Sequence, residues 1–324
     1  MKAFQLSDIS SYRGELMGLS TILILICHSV AYIDMHKILL YALSFGNVGV
    51  DLFLFLSGMG LWYSLKNRKI ALTCWYFMRY KRILVPYLLI IIPLTLIRYE
   101  YGLLKNMDIS YILRFISTIQ FWINHNGAWF IAALIPLYLA APGIYKLLRK
   151  YGSKAAIIMI LLFYAFLFIP QHWFAPALGE ILTNVQFVMV RATCFVLGMW
   201  MGTYIEQKKQ LPLWSLILMI FAGILAMAVT KHMVYCYFFF CLPLLYVMCV
   251  FLKTELKVRH ICSFWGDISL ESYLFNGSIP IFVILIFDHF YISDYCNIMS
   301  YGLAIVVGTF MSVISNRIFK RRVF

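Results

Sequence analysis

Five ionisable residues lie at or within the long apolar runs of this sequence, where such side chains are costly and therefore mark candidate functional positions. They are Glu15, His28, Asp51, Arg191 and Glu271. His28 stands in the run ILILICHSVAY. An imidazole has an unperturbed pKa near neutral pH, so a neutral histidine here can act as a general base on a hydroxyl group. A histidine at this position can equally be a packing residue that hydrogen-bonds to a neighbouring helix.

The second candidate, Asp51, stands in the glycine-rich run FGNVGVDLFLFLSGMGLW. The glycines allow a helix or a ligand to approach the backbone closely. An acid in this environment needs a partner, and three roles are open for Asp51: it orients His28, pairs with an arginine, or caps the start of its helix. Arg191 has no evident partner in the sequence and receives no role.

Two arginines, Arg79 and Arg82, stand three residues apart in the segment KNRKIALTCWYFMRYKRILVPY. At the start of a helix this spacing puts them on one face. Two guanidinium groups so placed form a fork that suits phosphate groups. The alternative is an ordinary basic cluster in contact with lipid headgroups.

The elements that must hold these residues are membrane-spanning helices. Hydrophobic residues make up 63% of the 324 and charged residues only 12%, too apolar a composition for a water-soluble surface. Hydropathy predicts an all-α, polytopic transmembrane helix bundle of about ten spans. The predicted spans are 16–33, 44–64, 83–97, 128–147, 155–170, 186–203, 213–230, 234–252, 267–287 and 297–316.

The distribution of basic residues gives this map an orientation. Of the 27 Lys and Arg, 21 fall in loops on the side of the two termini, five fall on the opposite side, and Arg191 lies within a span. The positive-inside rule therefore predicts that both termini are cytoplasmic. Orientation and anionic lipids explain the net charge of +14 better than a nucleic-acid partner does. The longest stretch between predicted spans is 98–127, on the outer side, and no soluble domain is evident. Residues 1–324 are therefore predicted to form a single transmembrane domain.

The cysteines indicate neither a disulfide framework nor a metal site. Five of the eight lie inside apolar runs and no C-x-x-C pair exists, so they are interpreted as buried thiols. No metal is predicted.

These segments together resemble the membrane-bound acyltransferase 3 family. The run GNVGVDLFLFLSGMGLW, followed by RYKRILVPYLL, is similar to the family's hallmark segment. HNGAWFIAALIPLYLAAP, FVLGMWMG and GDISLESYLFN resemble its later landmarks. The resemblance extends from residue 11 to about residue 280, and the Asp51 segment is its most specific part.

The resemblance implies an O-acyltransferase of the bacterial cytoplasmic membrane. Such an enzyme moves an acyl group, usually acetyl, from cytosolic acyl-CoA to a hydroxyl of a lipid-linked or cell-surface glycan. By position, His28 matches the family's proposed catalytic base, and Arg79 and Arg82 match its proposed donor-binding pair. We expect Asp51 to support His28. Candidates for lining the acceptor side are Trp129, Glu271 and Asn276.

The sequence departs from the family pattern at two positions. Members usually have arginine eleven residues before the histidine, where this chain has Met17. Arg13, one turn earlier and about 60° from the face of the histidine, is expected to replace it in donor binding. Asn276 stands where many members have histidine, and an amide cannot titrate, so we expect it to act by position only. Together, the two departures leave room for a donor other than acetyl-CoA or for a catalytically silent member.

Two questions stay open at this point. The acceptor hydroxyl can attack the thioester directly, or His28 can form an acyl intermediate first. A transporter or flippase for a polysaccharide precursor is the competing class of function, and a non-catalytic scaffold is a third. A transporter of this size is expected to show internal symmetry, and the sequence shows no repeat.

Overall fold

The computed structural model describes residues 3–33, 35–100, 108–280, 282–283 and 296–322, and these residues are almost entirely helical. The α-helices are α1 (Ser7–Ser11), α2 (Arg13–Ser29), α3 (Lys37–Ser44), α4 (Val48–Lys66), α5 (Leu72–Glu100), α6 (Ile109–Ile116), α7 (Ile119–Asn124), α8 (Trp129–Tyr151), α9 (Ser153–Ala165), α10 (Pro176–Glu206), α11 (Leu213–Thr230), α12 (Tyr237–Thr254), α13 (Leu256–Asp267), α14 (Ser269–Asn276) and α15 (Cys296–Arg322). Short 3-10 helices cover Phe45–Asn47, Phe166–Phe168, Gln171–Trp173 and Met233–Cys236.

The prediction of an all-α polytopic bundle is confirmed, and the count of ten spans is approximate. Among the described residues, seven helical segments are long and apolar enough to cross a membrane. They are Lys37–Lys66, Leu72–Glu100, Trp129–Tyr151, Pro176–Glu206, Leu213–Thr230, Met233–Thr254 and Ile298–Phe319.

The other three predicted spans fall on shorter helices. The first, 16–33, falls on α2, which ends at Ser29. The fifth, 155–170, falls on the apolar segment Ser153–Phe168. The ninth, 267–287, begins with α13 and α14, and its residues 281 and 284–287 lie outside the described residues.

Helix α5 begins at Leu72, well before the span predicted at 83–97. The expectation that Arg79 and Arg82 stand at a helix start is therefore wrong. Residues 72–82 contain neither glycine nor proline, so the helix continues through this polar segment although its hydropathy is low. Hydropathy marks the apolar part of a helix rather than its ends.

The chain divides into two compact units. The first consists of Met1–Arg13, Asp51–Lys81 and Asn106–Thr254. In this unit α4 and α10 are in backbone contact at two glycines. A Cβ atom at Gly58 would overlap the carbonyl oxygen of Phe195, and one at Gly198 would overlap that of Phe55. Small residues of this kind let membrane helices approach to backbone contact.

A two-stranded antiparallel sheet also belongs to the first unit. It joins Ala3–Gln5 to Gln210–Pro212, with Phe4 opposite Leu211. These two strands were not predicted from the sequence. The pairing ties the start of the chain to the loop before α11, two segments that the span map places on the same side.

The second unit consists of Gly14–Val50, Arg82–Lys105 and Glu255–Phe324. Here α2 meets α13 at glycines, since a Cβ at Gly18 would overlap the Cys262 carbonyl oxygen and one at Gly266 would overlap that of Gly14. Tyr301 on α15 donates a 2.6 Å hydrogen bond to the Leu25 carbonyl oxygen of α2. These contacts hold the helix that carries His28.

Candidate functional site

A buried ion pair lies at the centre of the first unit. Arg191 Nη1 on α10 donates to Asp51 Oδ2 on α4 at 2.7 Å, and each side chain is 1% exposed. The thiol of Cys194, one turn further along α10, lies beside the same carboxylate. Of the three roles open for Asp51, pairing with an arginine is the one that the structure shows.

Aromatic rings enclose the Arg191 guanidinium. Its Cζ atom lies 4.7 Å from the ring centre of Phe187, 4.8 Å from that of Trp129 and 5.6 Å from that of Tyr237. The Nε and Nη2 donors of Arg191 have no hydrogen-bond partner in the part of the chain that the structure describes. Cation–π attraction to these rings therefore stabilises the rest of the charge. Trp129, predicted to line an acceptor site, is one wall of this cage.

Arg191 received no role from the sequence, although a physical signal for its role was available. An arginine and an aspartate inside two apolar runs each need a partner, because an unpaired charge in such surroundings is strongly destabilising. Asp51 and Arg191 were the ionisable residues of opposite sign deepest within predicted spans two and six. Pairing these two residues would have predicted that α4 and α10 are neighbouring helices.

A second polar contact in the first unit lies at the start of α8 and was also missed. His125 Nδ1 is 2.7 Å from Asn184 Oδ1 on α10, and Asn184 Nδ2 donates to the Trp122 carbonyl oxygen at 3.1 Å. The His125 ring lies against Phe121 and Phe187, with ring centres 5.1 and 4.9 Å away. Asn184, Phe187 and Arg191 follow one another on a single face of α10, at spacings of three and four residues.

Arg13, the first residue of α2, packs against α4. Its Nε donates to the Leu56 carbonyl oxygen at 3.3 Å. A Cβ atom at Gly60 would lie 2.9 Å from Arg13 Nη2, so the glycine leaves the space that the guanidinium occupies. The predicted donor-binding role of Arg13 stays a prediction.

Arg79 and Arg82 are both on α5 but have different surroundings. Arg79 is half-buried, its Nη2 donates to Ser64 Oγ on α4, and its Cζ lies 5.8 Å from the ring centre of Trp75. Trp75 Nε1 donates to the same Ser64 oxygen at 2.8 Å. Arg82 is exposed. Their predicted phosphate-binding role is untested by these contacts.

His28 is the second-last residue of α2 and is half-buried. Its backbone carbonyl accepts a hydrogen bond from the Ala31 amide at 3.2 Å, where the chain turns after the helix. Among the hydrogen bonds of the described residues, none involves the His28 imidazole. The alternative that this histidine bonds to a neighbouring helix for packing therefore receives no support from the described contacts.

Glu271 and Asn276 belong to α14 in the second unit, and both are buried. Asn316 Nδ2 donates to Glu271 Oε1 at 3.2 Å and to the Asp267 carbonyl oxygen at 2.7 Å. Asn276 Nδ2 donates at 3.0 Å to both the carbonyl and the hydroxyl oxygen of Ser272. A Cβ at Gly308 would overlap the Asn276 side-chain oxygen, so this amide packs tightly against α15.

The fold and these buried charges define a helical integral membrane protein with polar chemistry inside its bundle. The acyltransferase 3 family, described as an acyltransferase domain, matches residues 16–317, nearly the entire chain. The chain belongs to this family and is a membrane acyltransferase. No curated protein and no solved structure matches the chain significantly.

Proposed function

We propose that this protein moves an acyl group, acetyl in the simplest case, from cytosolic acyl-CoA to a hydroxyl of a cell-surface or lipid-linked glycan. The observation that carries the proposal is the family match over residues 16–317. The setting is the cytoplasmic membrane of a bacterium, with both termini in the cytosol, as the charge distribution of the loops predicts.

His28 is the proposed general base. One of its ring nitrogens accepts the proton of the acceptor hydroxyl while the hydroxyl oxygen forms a bond to the thioester carbonyl carbon. The carbon–sulfur bond then breaks, and the coenzyme A thiolate takes a proton from the imidazolium. In support, the described residues leave the His28 imidazole without a hydrogen bond, so a substrate hydroxyl has no internal partner to displace.

Donor binding is assigned to the basic residues Arg13, Arg79 and Arg82. Guanidinium groups are the side chains best suited to the phosphates of coenzyme A, because their fork matches two phosphate oxygens. The half-buried Arg79 is oriented by Ser64 and Trp75, which reduces the conformational freedom it loses on binding.

The role proposed for Asp51 differs from the support of His28 that was expected from the sequence. Its carboxylate is engaged by Arg191, so we assign it to holding α4 against α10 within the first unit. Trp129 is assigned to the same cage, with its accessible part turned to an acceptor. Glu271 and Asn276 stay proposed acceptor-side residues on α14, where hydrogen bonds within the second unit hold both side chains.

The test is transfer of label from acetyl-CoA in isolated membranes. Membranes that contain the wild-type protein should place acetyl label on a glycan or glycolipid fraction, and His28→Ala should abolish this while the protein is still present in the membrane. His232→Ala, which changes an exposed histidine, is the matched control and should keep full activity. Full activity of His28→Ala would overturn the role of His28. Movement of an unmodified precursor across the membrane without label transfer would favour a transporter.

A further inference from the structure

The loop between α7 and α8 begins with an exposed histidine, His125, which ends α7. His125 has φ of 59° and the residue before α7, Thr118, has φ of 67°. At His125 this left-handed conformation ends α7, as is common at helix ends, and the His125 amide donates to the Phe121 carbonyl oxygen at 2.9 Å. The hydrogen bond to Phe121 and the contact with Asn184 therefore fix the position of His125 at the end of α7.

The contact that holds the imidazole is made through Nδ1, and no hydrogen bond of the described residues involves Nε2. Asn184 is 3% exposed, and its side-chain oxygen faces Nδ1 of His125 at 2.7 Å. An amide oxygen is an acceptor only, so Nδ1 carries the ring proton and Nε2 presents its lone pair. Asn126, the next residue, is fixed by a 2.8 Å hydrogen bond from its Nδ2 to the hydroxyl of Tyr111.

The His125 ring lies against Phe187, with ring centres 4.9 Å apart, and Phe187 belongs to a cluster of aromatic side chains. Trp122, Trp129 and Phe187 are half-buried, and Trp129 and Phe187 are in contact with ring centres 5.1 Å apart. Their inner faces cover the Arg191 guanidinium. A ligand that suits this surface carries a hydroxyl donor on a body with an apolar face, as a sugar ring does.

We infer that His125, with Phe187 against its ring and Trp129 packed on Phe187, forms an acceptor-binding site in which Nε2 accepts a hydrogen bond from a hydroxyl of a sugar ring. The inference rests on the proposed function and adds a residue that binds the acceptor and sets its class. The sequence places this loop in the outer stretch 98–127, the side from which the proposed acceptor arrives.

Two substitutions at this position separate binding from support of the loop. In His125→Asn the amide takes the place of Nδ1 and keeps the contact with Asn184, and asparagine also tolerates the left-handed backbone. It lacks the outward acceptor. In His125→Gln the longer side chain places an amide oxygen near the position of Nε2 and keeps that acceptor.

The assay uses the full chain in membranes, acetyl-CoA as donor and a panel of octyl glycosides as acceptors. His125→Asn should raise the KM for the accepted glycoside about tenfold, as expected for loss of one hydrogen bond. The kcat, the KM for acetyl-CoA and the thermal midpoint should stay unchanged. His125→Gln should restore most of the glycoside affinity. His172→Asn, at another exposed histidine, is the matched control and should alter none of these quantities.

Four results would overturn the inference, the last of them together with the proposed function. The first is a His125→Asn variant with unchanged KM for the glycoside. The second is a loss of thermal stability with an equal loss in every kinetic constant, which would show that His125 only supports the loop. The third is acetyl transfer to aliphatic alcohols but to no glycoside, which would remove the sugar class and leave the acyltransferase proposal standing. Failure to cleave acetyl-CoA with any acceptor would remove both.

Discussion

Asp51 and Arg191 join α4 to α10 through a single 2.7 Å hydrogen bond between two side chains that are each 1% exposed. The pair stands one to two turns from the glycine contact between Gly198 and Phe55, where the same two helices touch through their backbones. The ion pair is therefore part of a close helix interface. Neutralising either partner leaves a buried charge that water cannot reach.

Loss of one partner should destabilise the protein much more than loss of both. Arg191→Met or Asp51→Asn alone should cost about 3–5 kcal/mol, because each leaves the other charge uncompensated. The double variant Asp51→Asn/Arg191→Met should recover a large part of that loss. Thermal unfolding in detergent, arranged as a double-mutant cycle, measures the coupling directly.

The surface ion pair between Lys253 and Asp8 is the control for this cycle. Its Nζ–Oδ2 distance is 2.6 Å, but the lysine side chain is 46% exposed. Exposed pairs contribute only about 0–1 kcal/mol, so Lys253→Ala should move the midpoint little. Additive losses in the buried pair would show that Asp51 and Arg191 do not stabilise each other.

Glycine substitutions test the contact between α4 and α10. A Cβ at Gly198 would overlap the Phe55 carbonyl oxygen, which is backbone and cannot rotate away, so Gly198→Ala should lower the thermal midpoint and the yield of folded protein. Gly143 on α8 is the matched control, since a Cβ there meets nothing within 4 Å. Gly143→Ala should be neutral or stabilising by up to about 1 kcal/mol, because alanine favours the helix. A Gly198→Ala variant as stable as Gly143→Ala would contradict the packing described.

The sequence predicted the membrane class and the family because those depend on composition and on continuous motifs. Apolar runs identify helices whatever their neighbours are, and the Asp51 and Arg79 segments carry the family pattern within a few residues. The glycine-rich run around Asp51 also predicted close helix approach, which Gly58 confirms by its contact with Phe195. These features are local in the chain.

The partners of the candidate residues were harder to predict, because they depend on which helices become neighbours. Asp51 and Arg191 are 140 residues apart, and His125 and Asn184 are 59 apart. Hydropathy gives no information on which residues so far apart in the sequence become neighbours in the structure. It also places helix ends poorly, as shown by α5, where Arg79 is the eighth helical residue rather than part of the first turn.

The arginine pair on α5 should act on donor affinity. Arg79→Ala and Arg82→Ala should each raise the KM for acetyl-CoA about tenfold or more, since each removes a charge-assisted contact with phosphate. Raising the salt concentration should weaken the wild-type affinity as well, because these contacts are screened. Arg149→Ala, at an exposed arginine on α8, is the control. Changes in KM equal to those of the control would assign Arg79 and Arg82 to lipid contacts instead.

Variants at Arg13 and Met17 test whether Arg13 replaces, one helical turn earlier, the arginine that the family usually has at the position of Met17. Arg13 donates to the Leu56 carbonyl oxygen and fills the space above Gly60, so its guanidinium is held against α4. Arg13→Ala should therefore raise the KM for acetyl-CoA. Met17 lies one turn further along α2, where the family usually has arginine, and a long side chain can reach back over one turn.

The rescue variant Arg13→Ala/Met17→Arg should then recover donor affinity that Arg13→Ala loses. Arg13→Ala/Met17→Leu is the control, because it changes the same position without adding a charge. If only the arginine restores the KM for acetyl-CoA, the guanidinium itself binds the donor and its exact turn on α2 is exchangeable. If neither variant restores the KM while thermal stability is also lost, the role of Arg13 is its hydrogen bond to the Leu56 carbonyl oxygen within the first unit.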